Sequence, residues 1–167
     1  MMSLGNSLYR DKTYGFMLQF PEWWTPYCVV DRTVYDRSSL YELHFLFRYK
    51  GRIYGDVFNL VVMKMTLREW KRKGYTESPL SLLTYRNGLI FAYVTPGELP
   101  EAFIDPKTGE YDEKKYKRQI RMMKRMVNRD VPRIAESFRL LTPRLAKLKS
   151  RPFLSKEVQC PCRIRNR

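Results

Sequence analysis

A chain of 167 residues has the length of one ordinary domain and can bury a core without disulfides or metals to staple it. Hydrophobic residues make up 44% and aromatic residues 14%, which points to a folded globular chain and not a disordered one. The formal net charge of +15 is unevenly placed: residues 1–110 hold 14 Lys and Arg against 12 Asp and Glu, whereas residues 111–167 hold 18 against 5.

An asymmetry of this kind points to an acidic partner, whether nucleic acid, an acidic protein or an anionic membrane surface. The N-terminus, Met1 to Ser7, has no apolar run of the kind a signal peptide needs, and no stretch approaches the roughly 20 apolar residues of a membrane span. The expected compartment is therefore cytoplasmic. Cys28 lies in a strand-like run and Cys160 and Cys162 lie near the C-terminus, so no disulfide framework is expected.

In chain order, Tyr14 to Pro21 reads as a strand stopped by proline and followed by the bulky turn Glu22-Trp23-Trp24-Thr25-Pro26. Tyr27 to Thr33 is a second extended run. Leu40 to Tyr49 alternates, with Leu43, Phe45, Phe47 and Tyr49 on one face and Glu42, His44, Leu46 and Arg48 on the other. Asp56 to Met65 is nearly all apolar, as in a strand covered on both faces. Thr66-Leu67-Arg68-Glu69 is a capping box opening a short helix, with Leu67 and Trp70 expected inward and Gly74 as its stop. Asn87-Gly88 between two apolar runs predicts a type I′ hairpin, because both central residues need positive φ.

A loop over Pro96 to Gly109 then leads to the longest predicted helix, from Asp112 to about Asn128. Its residues Tyr116, Ile120, Met123 and Val127 share one stripe. Asp130 and Pro132 are expected to cap and start a further short helix ending near Phe138. After Leu141 the periodicity fades and Pro143, Pro152 and Pro161 interrupt a basic segment. The domain is thus set at 1–141, with a basic, peripheral tail over 142–167. The expected fold is a single α/β domain of the α+β type, a largely antiparallel sheet packed against helices.

Gly15-Phe16, Phe20-Pro21 and Trp23, with the closing Ile134-Ala135-Glu136-Ser137-Phe138, resemble the Mog1/PsbP-like α/β domains and their uncharacterised bacterial relatives. The resemblance covers roughly Tyr9 to Leu141. It implies an antiparallel sheet sandwiched by helices and a family of non-enzymatic binding and assembly factors. The residues that carry it are core and turn positions, so it supplies no functional site.

Catalytic signatures are missing from the sequence. The one histidine, His44, sits beside Glu42 and Arg48 with no second base to name; there is no Gly-rich phosphate loop and no serine nucleophile elbow. Cys160-Pro161-Cys162 lacks the further ligands a structural zinc needs. The carboxylates Glu98, Glu101, Asp105, Glu110 and Asp112 lack the alternation of a calcium loop. No enzyme activity, cofactor or metal is expected.

Binding is the remaining expectation, and three readings compete. Lys117, Arg118, Arg121, Lys124, Arg125 and Arg129 lie across the polar side of the long helix with almost no Glu interleaved, which suits a polyanion such as nucleic acid. Trp23, Trp24 and Tyr27 form an aromatic turn that either anchors a protein partner or caps the end of the core. The third reading, a basic helix lying on anionic membrane, is weakened because the apolar stripe is needed by the sheet. The aromatic turn and the basic face are expected to act independently.

Overall fold

The computed structural model describes residues 6–141 and the backbone of Arg163 and Ile164; Cys160, Cys162 and the rest of the 142–167 tail lie outside the described residues. The chain forms a mixed α/β structure with two sheets. β1 (Asn6–Asp11), β2 (Phe16–Pro21) and β8 (Arg139–Leu140) make a three-stranded antiparallel sheet in the order β1-β2-β8. The larger sheet contains β3 (Cys28–Asp31), β4 (Tyr41–Tyr49), β5 (Arg52–Lys64), β6 (Ser81–Arg86), β7 (Leu89–Val94) and β9 (Arg163–Ile164). Its order is β6-β7-β5-β4-β3-β9, antiparallel except for the short parallel pairing of β9 with Val29 and Val30. The expectation of one sheet is thus corrected to two.

Local chemistry explains the elements that form early in the chain's logic. Asn87 and Gly88 take φ of 52° and 77°, so the β6–β7 hairpin closes through the expected mirror-image turn. Helix α1 (Leu67–Arg72) carries the full capping box, Glu69 N–H donating to Thr66 Oγ1 at 3.2 Å and Thr66 N–H to Glu69 Oε2 at 2.8 Å. Trp70 is buried against Met63, Ile90 and Ala92, but Leu67 is 39% exposed, contrary to expectation. Tyr75 stacks on Trp70 at 4.7 Å and takes the second inward place.

The main core lies where the two sheets meet. Phe45 and Phe58 stack at 4.3 Å on the large sheet; Phe20 of β2 lies 5.2 Å and Tyr9 of β1 5.6 Å from Phe45. Phe16 reaches Phe91 at 6.1 Å. Burying rings of this size contributes about 2 kcal/mol or more apiece, before the entropy cost of ordering them. The N-terminal strand β1 escapes the sequence pattern because two of its three inward positions, Ser7 and Asp11, are polar. Asp11 is satisfied in the core by Tyr14 N–H and the Tyr41 hydroxyl, each at 2.7 Å. That bond and burial push the Tyr41 phenol up to about 12, burial contributing most.

The long helix also differs from expectation. Regular α2 spans Lys117–Arg125, continues through a π-helical turn at Met126–Asp130 and passes directly into α3 (Val131–Glu136). It starts five residues late because Asp112 N–H is held by Phe103 O at 2.8 Å and Tyr111 bridges Ile104, keeping the chain extended there. Its end has a different cause. Pro132 has no N–H to donate and its ring crowds the carbonyl four residues back, so the preceding turn widens and Val131 N–H bonds Met126 O instead. The extra residue rotates the stripe: Tyr116, Ile120 and Met123 are buried as expected, then Met126 and Asp130, with Val127 left half-buried.

On the sheet face away from the aromatic core, a β-bulge leaves Val57 without a partner between the pairs Phe45–Phe58 and Leu46–Asp56. The bulge brings Asp56 onto the face of His44, whose Nδ1 lies 3.6 Å from Asp56 Oδ1 and whose Nε2 lies 3.0 Å from Glu42 Oε2. Glu42 also accepts backbone N–H bonds from Tyr35 (2.9 Å) and Asp36 (3.0 Å), tying the β3–β4 loop to the sheet. Burial alone would lower the His44 pKa, but Asp56 and Glu42 outweigh it and raise it. Burial likewise opposes the Glu42 charge, yet the Tyr35 and Asp36 N–H groups and His44 hold its pKa below the ordinary value.

Two outcomes follow from this architecture. A raised histidine pKa adds stability that is complete below the unfolded value of about 6.5 and fades as pH rises through the folded value. The midpoint gap between the parent and His44→Gln in thermal melts should therefore be widest near pH ~5.5 and narrow steadily towards pH ~9; a gap independent of pH would show that the imidazolium pairing adds nothing. Separately, among the described residues both apolar clusters are built from positions before Leu141. A chain ending at Leu141, which lacks β9, should keep a cooperative thermal transition, and a molten product would move the domain boundary into the tail.

Candidate functional site

Three pieces of backbone meet at one end of the large sheet: the 3-10 turn Glu22–Trp24 that follows the stop at Pro21, the end of β4 at Tyr49, and the polar side of α2. The turn is fixed from below. Trp24 is fully buried, edge-on to Phe20 at 5.4 Å and Phe58 at 6.2 Å, and its indole N–H donates to Asp130 Oδ2 at 3.0 Å. Trp23, half-buried, donates its own indole N–H to the same oxygen at 3.0 Å. Asp130 therefore does not cap α3: it has helical φ and ψ, its carboxylate makes no capping bond, and its negative charge is taken up by two indoles.

Above this clamp lies a surface groove of about 630 Å³, with Trp23 and Tyr27 on one side and Lys117, Arg118, Arg121, Met122 and Arg125 on the other. The Arg125 guanidinium sits 4.5 Å over the Trp23 ring, and that of Arg118 sits 5.7 Å over Tyr49. The rings themselves form a chain, Trp23 to Tyr27 at 6.1 Å and Tyr27 to Tyr49 at 6.2 Å, the last pair within 14° of parallel. Stacked guanidiniums of this kind gain about 0.5–1 kcal/mol each and keep their donor edges free. Among the described residues, Lys117, Arg118, Arg121 and Arg125 have no carboxylate within ion-pair distance.

The structure thus sorts the residues singled out in the sequence. All six basic positions are exposed, and Lys117, Arg118, Arg121 and Arg125 line the groove. Lys124 instead approaches Glu113 at 4.0 Å on another side of the helix, and Arg129, beyond the start of the π turn, does not line it either. Of the aromatic turn, Trp23 and Tyr27 reach the groove, whereas Trp24 is corrected to a core residue, since its ring is needed between the sheets and Asp130. The aromatic turn and the basic helix, expected to act independently, line the same trough. Met122 was not expected there; Tyr49, the last residue of β4, packs against the core and meets the site only as the ring beneath Arg118.

Elsewhere, the loop carboxylates are occupied locally: Asp105 accepts from Lys107 N–H at 2.8 Å and Asp112 from Lys115 N–H at 2.9 Å. Among the described residues, no cluster of His, Cys, Asp and Glu is placed to hold a metal ion, and no helix is long and apolar enough to cross a membrane. Comparison with family models, curated proteins and solved structures finds no match to this chain.

The double use of Asp130 generates a prediction. In Asp130→Ala the buried Trp24 N–H and the half-buried Trp23 N–H lose their acceptor, at a cost of about 3 kcal/mol; Asp130→Asn, which keeps one oxygen, should lose less than half of that. Denaturant unfolding with unchanged midpoints in both variants would show that the indoles do not depend on this carboxylate.

Proposed function

We propose that this chain is a non-enzymatic binding module whose basic, aromatic-lined groove engages a polyanion, with nucleic-acid phosphates the most general case. The observation that carries this reading is the set of four cationic side chains in one trough, two of them seated on aromatic rings and none neutralised by a described carboxylate. Crowding like charges on one helix side costs a little in the free protein. A polyanion removes that cost and gains further from the release of its counterions.

The reading places the module in the cytoplasm. It also takes the fold as Mog1/PsbP-like, supported by how the two halves of the quoted motif meet: Phe16 stacks on Phe138 at 5.3 Å and Gln19 N–H donates to Ser137 Oγ at 2.8 Å. An acidic protein is the second candidate partner, and it would use the same groove through Trp23 and Tyr27. An anionic membrane is disfavoured, since Ile120 and Met123, the apolar side of α2, are buried in the core.

The test replaces Arg118, Arg121 and Arg125 together with Gln. Gln has nearly the helix propensity of Arg, so only the two ring contacts are lost and the thermal midpoint should fall by no more than a few degrees. Affinity for heparin and for mixed-sequence DNA should drop at least tenfold, and the salt slope should become shallower by about one unit for each phosphate contact removed. Equal binding by variant and parent would make the basic side mere surface; a parent that binds acidic peptides but no polyanion would favour the protein partner.

A further inference from the structure

The groove contains more than charge. A ligand that presents only sulfates, carboxylates or duplex phosphates would satisfy Lys117, Arg121 and the donor edges of Arg118 and Arg125, would use Trp23 only as the seat of Arg125, and would leave the Tyr27 ring unused. Both rings nonetheless form part of the lining, held there at the expense of a shared hydrogen bond from Trp23 to a buried carboxylate. Three rings run in series, Trp23, Tyr27 and Tyr49, with a guanidinium over each end, Arg125 on Trp23 and Arg118 on Tyr49; Trp23 and Tyr27 line the trough itself. Planar groups of both kinds are surfaces on which unpaired bases stack, and base stacking tolerates any sequence because every base has a π-face.

From this series of rings capped by guanidiniums we infer that the groove takes single-stranded nucleic acid, stacking bases on the aromatic and guanidinium planes while Lys117 and Arg121 hold phosphates, an inference that rests on the polyanion reading above. A duplex keeps its bases stacked on one another and can offer only its backbone and groove edges to this site. A trough of about 630 Å³ accommodates a segment of the size of a drug-like ligand, so only a short stretch of strand is gripped at once. The binding is consequently expected to be tolerant of sequence and sensitive to strandedness.

The experiment is a set of fluorescence-anisotropy titrations at one salt concentration, using a labelled 12-nucleotide mixed-sequence single strand, the corresponding 12-base-pair duplex, and heparin as competitor. Full-length parent protein should bind the single strand about tenfold more tightly than the duplex. Tyr27→Leu, which leaves both arginines on their own rings, should weaken single-strand binding about tenfold while changing duplex and heparin binding less than twofold. Trp23→Leu, which also unseats Arg125, should weaken all three, the single strand most. Should Tyr27→Leu prove unfolded in a thermal melt, quenching of the parent's tryptophan fluorescence decides the matter: the single strand should quench it and heparin should not.

A parent that binds duplex as tightly as single strand, a Tyr27→Leu variant that weakens all ligands alike, or a bound single strand that leaves the fluorescence unchanged overturns the stacking inference alone. A parent that binds none of the three ligands overturns the polyanion reading and this inference with it.

Discussion

A single carboxylate oxygen links two distant segments of this chain. Asp130 Oδ2 receives the indole protons of Trp23 and Trp24, two residues more than a hundred positions earlier. The acceptor is buried, and a buried charge is tolerated only where donors replace the water it has lost. Much else is downstream of that requirement. Trp24 can fill the gap between Phe20 and Phe58 because its one polar atom is satisfied, and Trp23 is turned so that its ring meets Arg125. Core and groove are therefore coupled through one residue.

The elements legible in the sequence are those specified by neighbours along the chain. The Thr66–Glu69 capping box and the Asn87-Gly88 turn need only a few residues each, and both appear where those residues place them. The alternation of Leu43, Phe45 and Phe47 likewise reports its own face. What the sequence hides is set by contacts between distant segments. Ser7 and Asp11 disguise β1 because their inward polar groups are satisfied by other strands. The start of α2 is delayed by a bond to Phe103, and the stripe of Tyr116, Ile120 and Met123 slips to Met126 after a proline the periodicity does not weigh.

The candidate site shows the same division. Composition alone finds the basic side of the helix, and four of its six cations do face the groove. No local pattern says that Trp23 and Tyr27 will stand opposite them, or that Lys124 will turn towards Glu113. His44 is a parallel case on the far face of the sheet: its neighbour Glu42 is visible two residues away, but Asp56 arrives only because a bulge leaves Val57 unpaired. In both places a charged group acquires its surroundings through the sheet and not through the chain.

The π turn at Met126–Asp130 carries a consequence for how this segment tolerates change in length. A widened turn is what a helix becomes when one residue is inserted without moving either flank, and the lodger here sits next to the proline that accommodates it. Deleting one residue, Asn128 for instance, would close the widened turn without moving its flanks, but would set the Pro132 ring against the carbonyl four residues back. The segment is thus asymmetric towards gain and loss: an extra residue has already been absorbed as a local swelling, while its removal would press the proline into the turn before it.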